Sequence, residues 1–441
     1  MPSTASSGFS RRSFLRTAAG GALGLAAGGL LTACGGDSGT ASDGPAELRA
    51  AWFGGDDRHK RTVKAFEIIQ GKIPNTTIKT EYGGFDGYFD KLSTQISGGG
   101  APDIVQMNFD PQLSDFALRN ALTDLTEYAG KSLDLSGLPE IDQANGRVND
   151  KVYGVSLGTL VPAVMVDTTA LAPLKLTVPT SWNWDSYGEF ALKVSQASGG
   201  KLAGTEDASA YDHVLLVWLL HRGRPGIFAP DGSVAVTEAD VTEWFQYWEQ
   251  LRKTGAAVDI KVQAAHNNGD HPTNPLVIGK AALALQFSTS HGVWSGITKN
   301  TLAFAPMPDA VSGSNPGNYA RPSALWSVPR GTKNVDRAVA VINQFVNDAE
   351  VAKTLGFTRA VPNANALKAI GADLTPAEKA LIDHTTAILA KPLAPAPRVP
   401  KGGSETGKIL KRSAEEVAFG RLSAQEGAKR FVAEVKAAVG K

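Results

Sequence analysis

The side chains of this chain that could do chemistry fall into two kinds of grouping. The first is acidic or imidazole-bearing. Asp56-Asp57 stands just beyond Trp52 and runs into Arg58, while His266, Asp270 and His271 crowd one short stretch. Two adjacent carboxylates could supply half of a hydrolytic acid/base pair, whose second member no spacing identifies. The His266/Asp270/His271 spacing matches no zinc pattern, and the Asn, Gly and Pro around it read as a loop. There is no His-Glu-x-x-His and no Gly-x4-Gly-Lys-Ser/Thr phosphate loop. The second kind sets a flat ring beside planar polar groups. Trp52 stands with Asp56, Asp57 and Arg58; Phe85 and Tyr88 follow Gly83-Gly84; Asn108 and Asp110 lie close together. Further on come Gln286 and Ser288 with Trp294, then Arg321 with Trp326. Rings cover C–H faces, and Asp, Asn, Gln and Arg present several donors or acceptors in fixed geometry, which suits holding a hydroxyl-rich molecule. These thirteen positions are the expected binding residues, with no catalytic residue, metal or cofactor expected.

Such groups work only if the backbone gathers them. Glu47–Phe53 alternates like a strand, and His59–Gln70 carries Val63, Phe66 and Ile69 at helical spacing. Thr76–Tyr82 is rich in β-branched residues, Phe85–Ser97 has Tyr88, Leu92 and Ile96 four apart, and Ile104–Met107 is a short apolar run. Strand, helix, strand, helix, strand predicts an α/β layer with parallel strands, where ligands collect beyond the carboxyl ends. Gly54-Gly55-Asp56-Asp57 is expected as a turn there, facing Met107–Asp110. Downstream, the pattern predicts strands at Val161–Val166, Ala281–Phe287 and Leu302–Met307. Helices are expected at Asp185–Ala197 (capped by Asp185), Asp212–His221, Glu238–Thr254, Val335–Asp348 and Ser423–Val439. Trp244, Phe245, Tyr247 and Trp248 recur at helical spacing and read as core. No repeat of fixed period is present.

The front of the chain is an address. Ser10-Arg11-Arg12-Ser13-Phe14-Leu15 precedes an uncharged Gly/Ala/Leu run, which reads as a twin-arginine export signal. Leu31-Thr32-Ala33-Cys34-Gly35 resembles a lipobox, in which the signal is cut before a cysteine that then carries lipid. The run of about 17 residues is marginal for spanning hydrocarbon, the other reading being an uncut anchor. Residues 34–47 form a Gly/Ser/Asp/Pro tether. Cys34 is the single cysteine, so no intramolecular disulfide is possible. A net charge of +1 favours neither nucleic acid nor an anionic membrane surface.

The stretch from Ile73-Pro74-Asn75 through Tyr88–Leu92 to Gln95–Ile104 resembles the front lobe of the family 1 extracellular solute-binding proteins, the carbohydrate receptors of ABC-type sugar importers. Trp52–Lys60, Val152–Ser156, Pro179–Asp185 and Gly279–Leu283 are similar to that family's first loop, crossover, helix entry and later strand. The resemblance covers nearly the whole chain beyond Trp52. It implies a two-lobed fold of the maltodextrin-binding-protein type with a cleft between lobes. Residues 48–156 plus 326–370 would form one lobe, and 157–325 plus 371–441 the other. It also implies a monomeric, lipid-anchored extracytoplasmic protein that takes sugar to permease subunits. A secreted glycosidase-like enzyme using Asp56 or Asp57 is the alternative. The loop 264–275 has no counterpart in the resemblance.

Overall fold

A computed structural model describes residues 44–266, 271–308, 319–371, 374–394 and 398–440. Arg11, Arg12 and Cys34 lie outside the described residues. The first strand, β1 (Ala46–Phe53), runs into helix α1 (Asp56–Lys72), strand β2 (Thr76–Gly83), helix α2 (Tyr88–Ser97) and strand β3 (Ile104–Met107). β1 lies between β2 and β3, parallel to both. The sheet continues through Leu325–Ser327, antiparallel to β3, to Val155–Ser156. The predicted alternation and parallel pairing are therefore present, with an antiparallel return strand added.

Several boundaries differ from the expectation. Ala46 and Glu47 already pair with Thr76 and Thr77, so they belong to β1 and not to the tether. Asp56 and Asp57 form the first turn of α1 instead of a turn before it, where the helix dipole favours carboxylates. α2 begins at Tyr88, because Gly87 takes a left-handed φ of 74° that leaves Phe85 outside. Helix Trp184–Ala197 is capped by Asn183, whose side chain accepts from Ser186 N in a capping box; Asp185 sits one residue inside the helix.

A second sheet has the order Leu302–Ala305, Pro162–Asp167, Ala281–Phe287, Ala203–Thr205. The chain leaves the first sheet after Ser156 and enters the second at Pro162. It returns from Ala305 to Leu325. The two passages pair as a short ribbon, Thr159–Leu160 against Arg321–Pro322. Gly158 (φ 153°) is required here, since a Cβ would sit 2.0 Å from the Arg359 carbonyl oxygen. Ser156 and Thr159 donate to buried Asp142 at 2.9 and 2.6 Å, anchoring the ribbon.

Two large clusters of buried side chains pack against these sheets. Leu48, Trp52, Phe66, Ile69, Trp326 and Phe345 fill a core between the first sheet, α1 and helix Val335–Asn347. Trp184, Trp218, Trp244 and Phe245 fill the other with Phe431 from the closing helix Ala424–Ala438. The aromatic helix Glu238–Thr254 is thus core, as its spacing predicts.

Candidate functional site

Parallel strands all end on one edge, so Phe53, Gly83 and Met107 share it. In the second sheet Phe287 ends its strand opposite Pro162, at the edge where the ribbon enters. The segments around these edges enclose a cavity of about 170 Å³. Phe109 and Asp110 come from the loop after β3, His213 from helix Asp212–His221, and Phe287, Tyr319 and Arg321 from the strand end and the return ribbon.

The wall is layered. The His213 imidazole stacks between Tyr211 (5.6 Å) and Phe287 (4.7 Å). On Phe287 the Arg321 guanidinium also lies, 4.5 Å from the ring centre, a cation–π contact. The His213 side chain is 9% exposed, and its Nε2 is buried with no hydrogen-bond partner among the described residues. Arg321 Nε is buried and unpartnered in the same way. Asp212 beside them is drawn upward by burial, yet is held below the ordinary carboxylate range by the His213 hydrogen bond and the Arg321 charge. Asp110, buried, accepts from Ser114 N (3.2 Å) and from its hydroxyl, and pairs with Arg398 at 3.3 Å. Orphaned donors and acceptors in a ring-lined cavity are what a polar ligand would satisfy.

The structure divides the thirteen expected residues. Asp110 and Arg321 line this cavity, and Gln286 and Asn108 precede the lining residues Phe287 and Phe109. Asp56, Asp57 and Arg58 line a second, larger cavity of about 930 Å³ together with Arg359, Thr289 and Thr375. Phe85 is exposed and lies edge-on to Phe53. Tyr88 donates to the Ala51 carbonyl (3.0 Å), and burial raises its hydroxyl's pKa. Four expectations are corrected. Trp52 (0% exposed) packs on Phe66 and Tyr82 and donates to His59 Nδ1, so neither of its faces is open. Trp326 is enclosed by Phe66 and Phe345. Trp294 lies in helix Ser290–Ile297, buried in a cluster with Ala163, Met165 and Ala284 of the second sheet, and donates to His271 Nδ1 at 2.9 Å. Ser288 is fully buried, its backbone N–H donating to the Val161 carbonyl and its Oγ accepting from Val161 N.

The rings that do line the cavity carry fainter sequence signals. Phe109 sits between Asn108 and Asp110, and Phe287 follows Gln286. A scan for rings adjacent to strand-end polar residues finds both. His213 and Phe228 carry no such signal. Gly154-Val155-Ser156-Leu157-Gly158 has the Gly-x-Ser-x-Gly spacing of hydrolase nucleophiles. Its serine lies in a sheet strand and donates to Asp142, with no histidine bonded to it among the described residues, so the spacing here serves the ribbon. Among the described residues no three His, Cys, Asp or Glu side chains are placed to hold a metal. Asp270 lies outside them, and His266 bonds Thr273 at 2.9 Å.

Comparisons with known proteins agree with this architecture. An uncharacterised lipoprotein of Streptomyces antibioticus is 30% identical over 176 residues, spanning 38% of this chain and 37% of that protein. The chain thus covers well under two thirds of that relative. A family 1 extracellular solute-binding protein from Alicyclobacillus acidocaldarius superposes with a TM-score of 0.74 at 25% identity, over 90% of this chain and 99% of that one. A periplasmic oligogalacturonide binding protein from Yersinia enterocolitica, solved with saturated digalacturonic acid, has the same fold: TM-score 0.74 at 21% identity, over 89% and 99% of the chains. The model of the bacterial extracellular solute-binding proteins matches residues 62–378, and the chain belongs to that family.

Proposed function

We propose that this protein is a membrane-tethered receptor that binds a saccharide between its two sheets and delivers it to an ABC-type permease. The observation that carries the reading is the wall of the smaller cavity. Half-buried Phe287 and buried Phe109 put ring surface in the wall beside the His213 imidazole and the Arg321 guanidinium, whose Nε2 and Nε lack partners among the described residues. A sugar presents C–H faces to the rings and hydroxyls that both donate and accept, matching those orphaned atoms. The family, a lipoprotein relative and a structural neighbour that binds an oligogalacturonide support it. The parts built on the two sheets would act as lobes, with residues 48–156 and 326–370 on one side and the remainder on the other. Ligand touching both would favour the closed arrangement.

A hydrolytic role for Asp56 or Asp57 has less support. Asp57 is paired with Arg61 at 3.0 Å, and Glu378, a carboxylate on the same cavity wall, is engaged in capping Thr375. The test is a panel of mono- and oligosaccharides with the purified mature chain. At least one should raise the melting temperature, as a ligand of the native state must, and remain intact after long incubation. A panel without any shift would sink the saccharide reading; shortened products would replace it with the enzyme.

A further inference from the structure

The larger cavity carries a feature that saccharide binding does not explain. Arg359 is 4% exposed and has no carboxylate within ion-pairing distance among the described residues. Its guanidinium donates from Nε (3.2 Å) and Nη2 (3.1 Å) to Gln106 Oε1, and from Nη1 to Thr62 Oγ1 (2.9 Å). Arg58, one helical turn before Thr62, donates from Nε and Nη2 to the Thr358 carbonyl at 3.2 and 2.8 Å and likewise has no carboxylate partner. A guanidinium has five N–H donors, so three of Arg58 and two of Arg359 are unused by these bonds. Both groups have depressed pKa values, from burial first, and for Arg359 also from the charge of Arg58. Two neighbouring cations in a desolvated place, each held only by neutral acceptors, are an unusual and costly arrangement. Thr358 Oγ1, on the same wall, is buried with no partner among the described residues. α1 starts there too, its N-cap Gly55 providing no side-chain cap to the first-turn amides.

We propose that this cavity binds an oxyanion, a carboxylate or phosphate group, held by Arg58 with Arg359 behind it and the Thr358 hydroxyl as a further donor. The guanidinium fork matches the paired oxygens of such a group. Opposing charge is limited: Asp57 is paired with Arg61 and Glu378 with its cap, which leaves Asp56 as the carboxylate that works against the anion. Thr289 and Thr375 approach from the segments beyond the ribbon, so an anion here would touch both halves of the molecule. The inference stands on these guanidiniums and does not require the saccharide reading.

Calorimetry and thermal melts of the mature protein with sodium phosphate, sodium sulfate, D-glucuronate and D-glucose test it. At least one of the three oxyanions should bind saturably and raise the melting temperature. Arg58→Gln should weaken that binding about tenfold or more, and Arg58→Lys, which keeps charge but loses the fork, should fall between. Asp56→Asn, which removes a like charge, should strengthen it about two- to fivefold. Binding of glucuronate alone identifies the oxyanion as part of the carried solute; binding of phosphate or sulfate identifies a free ion. The proposal is overturned if no oxyanion binds at about 10 mM, or if a folded Arg58→Gln protein binds as the wild type does. Oxyanion binding without any saccharide binding would leave this inference standing and remove the sugar reading.

Discussion

Phe287 is the residue on which the proposed saccharide site turns. Its ring receives the Arg321 guanidinium and the His213 imidazole, so it sets the position of two polar atoms that have no partner among the described residues. Phe287→Ala is expected to weaken saccharide binding by about 1–3 kcal/mol, roughly five- to 150-fold, read by calorimetry. An unchanged affinity would place the ligand elsewhere. The tryptophans make the opposite prediction. Trp326→Ala removes a ring sealed between Phe66 and Phe345, and should cost about 3–5 kcal/mol in urea unfolding. A loss under about 1 kcal/mol would contradict a closed core there. Sequence alone treats Trp52, Trp294 and Trp326 as stacking surfaces because an indole next to strand-end polar residues has the same pattern whether its faces are covered or open. Which face is covered depends on helices distant in sequence, such as Val335–Asn347 against Trp326.

At the scale of elements, alternation and helical spacing locate β1, α1, β2, α2 and β3, and recover helices Asp212–His221 and Glu238–Thr254 and strand Ala281–Phe287 at their observed ends. These are strongly periodic or uniformly apolar segments, which is where such patterns carry most information. Helix starts fare worse, because Asn183, Gly87 and Gly55 act through backbone angles and caps that compete closely with their neighbours. The resemblance at Val152–Ser156 points to a crossover beside the ribbon, but the ribbon's anchor carries no sequence signal. Asp142 follows Glu140 in an unremarkable polar stretch, and only folding places it under Ser156 and Thr159. Burial pushes its pKa up to about 6, against the two hydroxyl bonds that lower it. The folded state therefore holds the proton more tightly than the unfolded chain, whose carboxylate titrates near 4. From this group, stability is greatest below about pH 4, falls as pH rises through about 6, and is level above. Asp142→Asn should flatten that part of the stability profile by about 1–3 kcal/mol between pH 4 and 7. An equal slope in the variant would mean that Asp142 is not its source.

For the whole molecule, two sheets are joined by a two-stranded ribbon, and the cavities lie between segments on either side of it. Both cavities draw their walls from each side of the ribbon, which is the arrangement a ligand needs in order to stabilise closure. If a saccharide does so, its addition should reduce the radius of gyration in solution scattering, while Gly158→Ala should disturb that response by forcing a Cβ onto the Arg359 carbonyl. The fold class was legible because strand–helix alternation constrains topology strongly. The site was legible only in part, because its rings come from five separate segments that no local spacing links. The most direct test of the receptor reading is calorimetric titration of the mature protein with the saccharides of the panel, alongside Phe287→Ala. The expected result is saturable binding of one saccharide per chain, weakened in the variant, with the sugar recovered intact. A folded wild-type protein that binds none of the saccharides would contradict it.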